Sequence, residues 1–339
     1  MIDYLIIGGT GSLGKKLIER LLPTSSIAVY SRDESKHWTI RNELLSHKQI
    51  SRLSFYVGDI RDKQRLRDVI QQTSPKNIII AAALKHVDTC ELSPNESVLT
   101  NVIGTQNVID VINSLDSKSI QNTLYVSTDK SCSPVNTYGM CKAISERLIT
   151  SQVNNKSNQI KYLAVRYGNV LESRGSIIPL FKYQAENSEI LTVTDPEMTR
   201  FVMTLDDSVD LILTALKLGK CGETWIPIIP AMKIGDLATL FSKKFNKKIK
   251  ITGHRPGEKM HEDLINESES SRTKKFMNYY VISSSHFVGR ENVFTYSSSD
   301  DVMTPDTLEK FLNEKRIFDK TIDEFKGQSI EEIATNRVD

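Results

Sequence analysis

The 339-residue sequence predicts an α/β fold, a doubly wound parallel sheet carrying a smaller, discontinuous second lobe. Three observations predict it. Short apolar runs alternate with amphipathic stretches through the first half, a glycine-rich turn follows the first run, and the alternation weakens after Gly168. A chain of this length exceeds the usual size of a single hydrophobic core, so a main domain with an appended lobe is the natural arrangement.

The runs are YLIIG (4–8), IAVY (27–30), LSFYVG (53–58), NIIIAAA (77–83), TLYVST (123–128) and KYLAVRY (161–167). Continuous apolar strands of this kind are buried on both faces of a parallel sheet. KKLIERLL places Leu17, Ile18, Leu21 and Leu22 at helical spacing and forms the first crossover, and NVIGTQNVIDVINSL forms another. Right-handed crossovers between such strands give the Rossmann arrangement. Residues 1–170 are assigned to this domain. MTLDDSVDLILTALKLG (203–219) reads as a helix and ETWIPII as a run that rejoins the sheet, so about 201–229 is a return segment. Residues 171–200 and 230–315 make the second lobe. The helices TPDTLEKFLNEK and SIEEIATN read as peripheral, and 316–339 as a peripheral tail.

Composition is that of an ordinary globular protein, 39% hydrophobic and 25% charged, with a formal net charge of +2. No global field favours nucleic acid, and any anion must meet a local site. Cys90, Cys132, Cys141 and Cys221 show no CxxC and no His pairing at metal spacing, so they read as reduced small hydrophobes. MIDYLIIGG is too short for a membrane span and has no basic leader, so no membrane association and a cytoplasmic location are expected.

GGTGSLG (8–14) lies between the first strand and the first helix, where backbone amides and a helix N-terminus can meet a pyrophosphate. Gly8, Gly11 and Gly14 follow a GxxGxxG spacing, with Thr10, Ser12 and Leu13 between them. The second strand ends in VYSRDESK, spanning Tyr30 and Lys36. Ser31 and Arg32 offer a hydroxyl and a guanidinium suited to a 2′-phosphate, so NADP is the expected cofactor. Asp33 fits either a ribose contact or the N-cap of the following helix. Asp59, next to Ile60 after the third strand, fits an adenine contact or a turn.

The stretch VSTDKSCSPVNTYGMCK (126–142) carries the chemistry. Tyr138 and Lys142, four apart at a helix start, project on one face. An ammonium beside a phenol favours the phenolate. A YxxxK alone is a frequent accident. Here it follows the fifth strand, with Ser127 and Thr128 upstream to hold a hydroxyl. Adjacent strand residues point to opposite faces, so Asp129 and Lys130 can serve one ligand only if the strand has ended, as SCSP suggests.

GGTGSLG, AAALKHV (81–87), TNVIGTQNV (100–108), STDK with YGMCK, RYGNV (166–170) and RPGEKMHE (255–262) together resemble the extended short-chain dehydrogenase/reductases. More narrowly, they resemble the inverting UDP-N-acetylglucosamine 4,6-dehydratases (5-epimerising), over about residues 4–315. Other sugar-nucleotide 4,6-dehydratases carry an Asp-Glu pair where this chain has Asp129-Lys130. The resemblance implies an NADP-dependent lyase in which Tyr138 takes the C4 hydroxyl proton, Lys130 the C5 proton, and Asp129 protonates the departing C6 hydroxyl. The product is UDP-2-acetamido-2,6-dideoxy-β-L-arabino-hex-4-ulose, a first step toward pseudaminic acid or N-acetylated 6-deoxy-L-sugars. For this chemistry Lys130 must be neutral, with its pKa lowered by burial or cofactor, and Asp129 protonated.

By the same resemblance, Ala81, Ala82 and Val170 contact the cofactor, and Lys85 contacts cofactor and sugar. Thr100, Asn101 and Asn169 would lie at the sugar. Arg174, Gly175, Ser176, Ile177, Phe181 and Thr192 would cradle the nucleotide, with Arg255 on phosphate and Glu258 on ribose. For Arg174 and Arg200 the lesser alternative is a surface or interlobe ion pair. HEDLI (261–265) lacks the second histidine of HExxH, so no metal is expected, and His86 and His254 read as structural. The expected assembly is a homo-oligomer, dimer to hexamer. A UDP-sugar 4-epimerase would use Tyr138 but give Asp129-Lys130 no task. A catalytically silent NADP-binding scaffold would need neither Lys130 nor Tyr138.

Overall fold

The computed structural model describes residues 1–115, 118–155, 159–171, 173, 176–284 and 293–320. The first half alternates as expected. Strands β1 (Ile2–Ile7), β2 (Ile27–Ser31), β3 (Leu53–Val57) and β4 (Pro75–Ile80) are linked by helices α1 (Ser12–Leu21), α2 (Glu34–Glu43) and α3 (Lys63–Thr73). The next crossover contains α4 (Val87–Leu92), α5 (Pro94–Ser97), a π-helical segment Val98–Ile103 and α6 (Gly104–Ser114). Then come β5 (Asn122–Val126), α7 (Thr137–Thr150) and β6 (Lys161–Val165).

The second half is more broken. It runs β7 (Asn169–Val170), α8 (Ile177–Asn187), β8 (Ile190–Val193), β9 (Thr199–Met203), α9 (Leu205–Leu218), β10 (Thr224–Pro227) and β11 (Ala231–Lys233). After these come α10 (Ile234–Phe245), β12 (Lys248–Ile251), β13 (Asp263–Ile265), α11 (Glu267–Ser270), β14 (Thr273–Phe276), β15 (Tyr279–Ile282), β16 (Tyr296–Ser297) and α12 (Pro305–Glu314).

The main sheet has nine strands in the order β14-β15-β10-β6-β5-β4-β1-β2-β3. From β10 to β3 neighbours are parallel, with Ile6 opposite Val29 and Ile79. Successive residues alternate between faces. Ile6, Val29, Ile79, Leu124 and Leu163 enter one core with α1 and α9, whereas Leu5, Ala28, Ile78, Ile80, Tyr125 and Tyr162 enter the other with α3 and α6. Each fully buried branched side chain contributes about 1.5–3 kcal/mol, so the alternation locks the register.

A third apolar cluster joins α8, α10 and α12 through Ile178, Phe181, Leu191, Phe241, Leu308 and Leu312. Here the structure corrects two expectations. Leu308 and Leu312 of α12 are fully buried, as is Ile317, and Lys182 Nζ donates to Phe318 O at 2.6 Å, so α12 and residues 317–318 send side chains into the core and are not merely peripheral. SIEEIATN lies outside the described residues. The sheet also gains an antiparallel pair, β14 and β15, that was not expected from the Ser-, Glu- and Lys-rich sequence after 266. β15 presents Val281 to the core and its edge partner β14 is largely exposed, which accounts for its weak apolar signal. ETWIPII does rejoin the sheet, as β10 beside β6.

Candidate functional site

The loops at the C-terminal ends of the parallel strands enclose a cleft of about 710 Å³, where ligands bind in open α/β sheets. Its lining includes Gly8, Thr10, Gly11, Ser12, Leu13 and Gly14 after β1, then Tyr30, Ser31, Arg32, Asp33 and Lys36 after β2. Ile60, Ala81, Ala82, Lys85, Thr100, Thr128, Asp129, Lys130, Tyr138, Lys142, Asn169, Val170 and Ser176 complete much of the wall.

The glycine turn is shaped for close backbone approach. Gly8 has φ +85, and a Cβ there would lie 2.5 Å from the Ala82 backbone. Gly11 is the N-cap of α1 with no side-chain cap, and a Cβ on it would meet nothing nearer than Gly8 O at 3.7 Å. Uncapped amides at a helix N-terminus facing open space suit a pyrophosphate.

At the tip of β2, Thr10 Oγ1 donates to Ser31 Oγ at 3.2 Å, and Ser31 Oγ lies 2.6 Å from His37 Nε2. Asp33 caps α2, accepting from Lys36 N at 3.1 Å, and pairs with Lys36 Nζ at 3.0 Å. Its carboxylate is therefore engaged by the helix. Asp59 does not line the cleft; it accepts from Arg61 at 2.8 Å and lies 3.7 Å from Arg32, a turn role.

β5 ends at Val126, and Asp129–Ser131 form one 3-10 turn. That turn lets neighbouring residues share a surface. Asp129 is buried; its Oδ1 accepts from Thr128 Oγ1 at 2.9 Å and from Lys130 Nζ at 3.1 Å, while Oδ2 has no hydrogen-bond partner among the described residues. Ser131 Oγ donates to Thr128 O at 2.6 Å and Ser127 Oγ donates to Ser131 Oγ at 3.0 Å. Gly139 allows α7 to pack onto the turn, since a Cβ there would overlap Lys130 O.

Beneath the turn, Arg166 is enclosed between two carboxylates. Its guanidinium donates to Glu146 Oε1 at 2.5 Å, Glu269 Oε2 at 2.7 Å and Leu264 O at 2.9 Å. Ser131 Oγ also reaches Glu146 Oε2 at 3.2 Å, which ties the network to the turn.

The electrostatics differ from the sequence expectation. Burial pulls the Lys130 pKa down, but the Asp129 and Glu262 carboxylates outweigh it and hold the amine above its ordinary value. A lowered Lys130 pKa is thus not what this ligand-free site sets. Glu262, at 3.2 Å from Lys130 Nζ, is the residue that sequence reasoning missed. The only available signal was its place in RPGEKMHE.

The Lys142 amine turns to the end of β5. Its Nζ donates to Val126 O at 2.5 Å and lies 4.0 Å over the Tyr125 ring, and burial lowers its pKa to about 7. Burial pushes Tyr138 up to about 12, and Lys130 is the cation that most opposes this.

Thr100, on the π-helical segment, and Ser176 have buried hydroxyl oxygens without hydrogen-bond partners among the described residues. Both line the cleft. Other substrate candidates lie elsewhere. Asn101 is buried and exchanges hydrogen bonds with Leu84 N and O at 2.9 Å, fixing that loop. Phe181 packs in the third core, 5.5 Å from Phe241, with Ile177 against the same cluster, because α8 turns these apolar side chains inward. Thr192 pairs with Gln184. Arg255 and Glu258 close a tight turn, Glu258 N donating to Arg255 O at 3.2 Å, held to the N-cap of α7 by Asn136 Nδ2 donating to Gly257 O at 2.8 Å. Neither lines the cleft. Arg174 and Gly175 lie outside the described residues.

Arg200 is buried and donates to Thr199 O and Met260 O, a structural clamp rather than an ion pair. His86 lines the cleft, and exposed His254 lies 2.7 Å from Asp195. Among the described residues, no group of three or more His, Cys, Asp and Glu is placed to hold a metal ion, and no helix is long and apolar enough to cross a membrane.

Residues 4–284 match the model of a family described as polysaccharide biosynthesis protein. The chain is 40% identical over 302 residues to a UDP-N-acetylglucosamine 4,6-dehydratase (inverting) of Campylobacter jejuni, covering 87% of each. It is 38% identical over 287 residues to a UDP-glucose 4-epimerase of Rickettsia rickettsii, covering 82% of each. The X-ray structure of Pen from Bacillus thuringiensis superposes with a TM-score of 0.85 at 33% identity, over 93% of this chain and 98% of that one. With its sheet order and strand-end cleft, the chain belongs to the polysaccharide biosynthesis protein family, an extended short-chain dehydrogenase/reductase by fold.

Proposed function

We propose that the protein is an inverting UDP-N-acetylglucosamine 4,6-dehydratase. The observation that carries this reading is the Asp129-Lys130 pair, joined at 3.1 Å on one turn at the cleft wall and adjoining Tyr138. An epimerase needs only an acid-base group at the C4 hydroxyl, and would leave a buried acid and an amine idle.

A nicotinamide cofactor fits the cleft through the Gly11 cradle and the open amides of α1, and supplies hydride acceptance at C4 and donation at C6. Tyr138 takes the C4 hydroxyl proton, assisted by the Lys130 charge. Once C4 is a ketone, the C5 proton is acidic. Elimination then needs a neutral amine and a neutral acid, and one proton transfer creates both: the proton that Lys130 gives up is the one Asp129 must hold. A substrate displacing water from the cleft favours this neutral pair over the ion pair. Lys130 next removes the C5 proton, the electron pair of that bond forms a C5–C6 double bond, and Asp129 protonates the departing C6 oxygen as water. Thr100 and Ser176, whose hydroxyls have no partner among the described residues, face the sugar nucleotide.

Incubation with UDP-N-acetylglucosamine in D2O is expected to give an inverted 4-keto-6-deoxy sugar with deuterium at C5 by NMR. A galacto product would establish the epimerase instead, and unchanged sugar a silent scaffold.

NADP is the proposed form of the cofactor. Asp33 is committed to its helix cap and to Lys36, while Ser31, Arg32 and Lys36 surround the tip of β2 with donors. Arg32→Glu is expected to weaken NADP+ binding by about tenfold or more, a charge-assisted hydrogen bond contributing about 1.5–3 kcal/mol, and to leave NAD+ binding little changed in calorimetric titration. The proposed setting is a reducing, cytoplasmic one, in keeping with four unpaired cysteines. Homo-oligomerisation is proposed on the exposed Met140 and Ile144 of α7 and Val98 and Ile103 of the adjoining π segment.

A further inference from the structure

Glu262 stands just before β13, with no role in the reaction as described so far. Its backbone is pinned by Ser298, whose Oγ accepts from Glu262 N at 2.9 Å and whose N donates to Glu262 O at 2.8 Å. The residue is 2% exposed; Oε1 lies 3.2 Å from Lys130 Nζ, and Oε2 has no hydrogen-bond partner among the described residues. Lys130 is thus bracketed by two buried carboxyl groups, Asp129 at 3.1 Å and Glu262 at 3.2 Å. Asp129 already has a partner for its proton exchange. Glu262 is the extra charge.

Other charged groups act on this carboxyl as well. Burial holds its pKa above the ordinary carboxylate value; Lys130 opposes this most, Asp129 adds to the rise, and Arg200 and Lys259 pull it down. Arg200 donates to Thr199 O and Met260 O, and Lys259 Nζ donates to Cys132 O at 2.8 Å, so neither is hydrogen-bonded to Glu262. The adjacent His261 is held through Nδ1 by Thr199 Oγ1 at 2.8 Å. Among the described residues, the one cation paired directly with Glu262 is Lys130.

Resting on the dehydratase reading, we propose that Glu262 is a positioning residue that anchors the Lys130 amine in the cleft wall and strengthens it as the base toward C5. A lysine side chain has four rotatable bonds, so an anchor fixed at the start of a strand limits where its nitrogen can stand. A carboxylate at this distance also stabilises the ammonium that forms as the C5 proton arrives on Nζ. Glu262 neither gives nor takes a proton in the step: C5 loses its proton to Lys130, and Asp129 gives its own to the C6 oxygen.

The test is Glu262→Gln, an isosteric change, with Glu262→Asp beside it. An opposite charge at this range moves a pKa by about one unit or more, so Gln is expected to slow C5 deuterium uptake about tenfold. The acidic limb of its pH-rate profile should also fall by about one pH unit. Formation of NADPH absorbance on adding UDP-N-acetylglucosamine should persist. Glu262→Asp keeps the charge at longer reach, and its limb should lie between the other two. Independently of turnover, Lys130 carrying a reductively added 13C-methyl label, assigned against Lys130→Ala, should titrate at lower pH in the ligand-free Gln variant.

Melting temperature and NADP+ binding report whether each variant folds, and the Asp variant carries the test if Gln does not. A wild-type protein that places no deuterium at C5 overturns the dehydratase reading. Deuterium uptake with unshifted limbs in both variants overturns only the assignment of Glu262, as does a limb that moves upward, the sign of Glu262 accepting the proton itself.

Discussion

Lys130→Arg is expected to lower dehydration about 10³-fold while C4 oxidation continues, within the range by which a positioned general base contributes to rate. Arginine keeps the positive charge between Asp129 and Glu262 and beside Tyr138, so the phenol still feels a cation. It cannot lose a proton at working pH, so no base is left for C5. The signature is a partial reaction: NADPH absorbance appears on adding the sugar nucleotide, and NMR in D2O finds neither C5 deuterium nor 6-deoxy product. Lys130→Ala should block the same step and also slow C4 oxidation, because the cation near Tyr138 is gone. If Lys130→Arg dehydrates at the wild-type rate, Lys130 is not the base.

The second large effect is on stability. Arg166→Ala is expected to cost about 3–5 kcal/mol in denaturant unfolding, since it leaves Glu146 and Glu269 buried without their shared cation. Burial alone would raise the Glu269 pKa; Arg166 more than offsets this and holds it below the usual carboxylate range. Its folded pKa is therefore below the unfolded value of about 4.3. Its stabilisation is complete above that pH and is lost as pH falls through the lower folded value. In Arg166→Ala the sign reverses for Glu269: burial then holds it above its unfolded value, and stability falls as pH rises from about 4.3 toward that raised value. A variant with wild-type stability across this range would remove the network from the account. Because Ser131 joins Glu146 to the Asp129 turn, the same variant should also lose dehydratase rate more than cofactor affinity.

The sheet was legible because buried parallel strands are continuous apolar runs and their register follows from side-chain alternation. The six runs of the first half became β1 to β6 within a few residues. β14 escaped because an exposed edge strand needs no apolar face, and α12 because Leu308 and Leu312 stand among mostly polar residues. At the site, residues near a strand end were legible by position: Thr128, Asp129, Lys130, Tyr138 and Lys142 do share one cleft. Phe181 and Thr192 were not, since which face a second-lobe residue turns to the ligand depends on packing among α8, α10 and α12, and Asn101 was not, since its amide is taken up by the Leu84 backbone.

Local sequence alone determined the glycine turn, the helix carrying Tyr138 and the break that brings Asp129 beside Lys130, for these follow from short-range geometry and spacing. Only the tertiary structure decided which charges surround the amine. Glu262 is 132 residues from Lys130 in the chain and 3.2 Å away in space, and an interaction of that kind leaves no periodicity or spacing to read. Coulomb energy depends on distance through space and on burial, so the protonation state of Lys130 became readable only when the chain had folded.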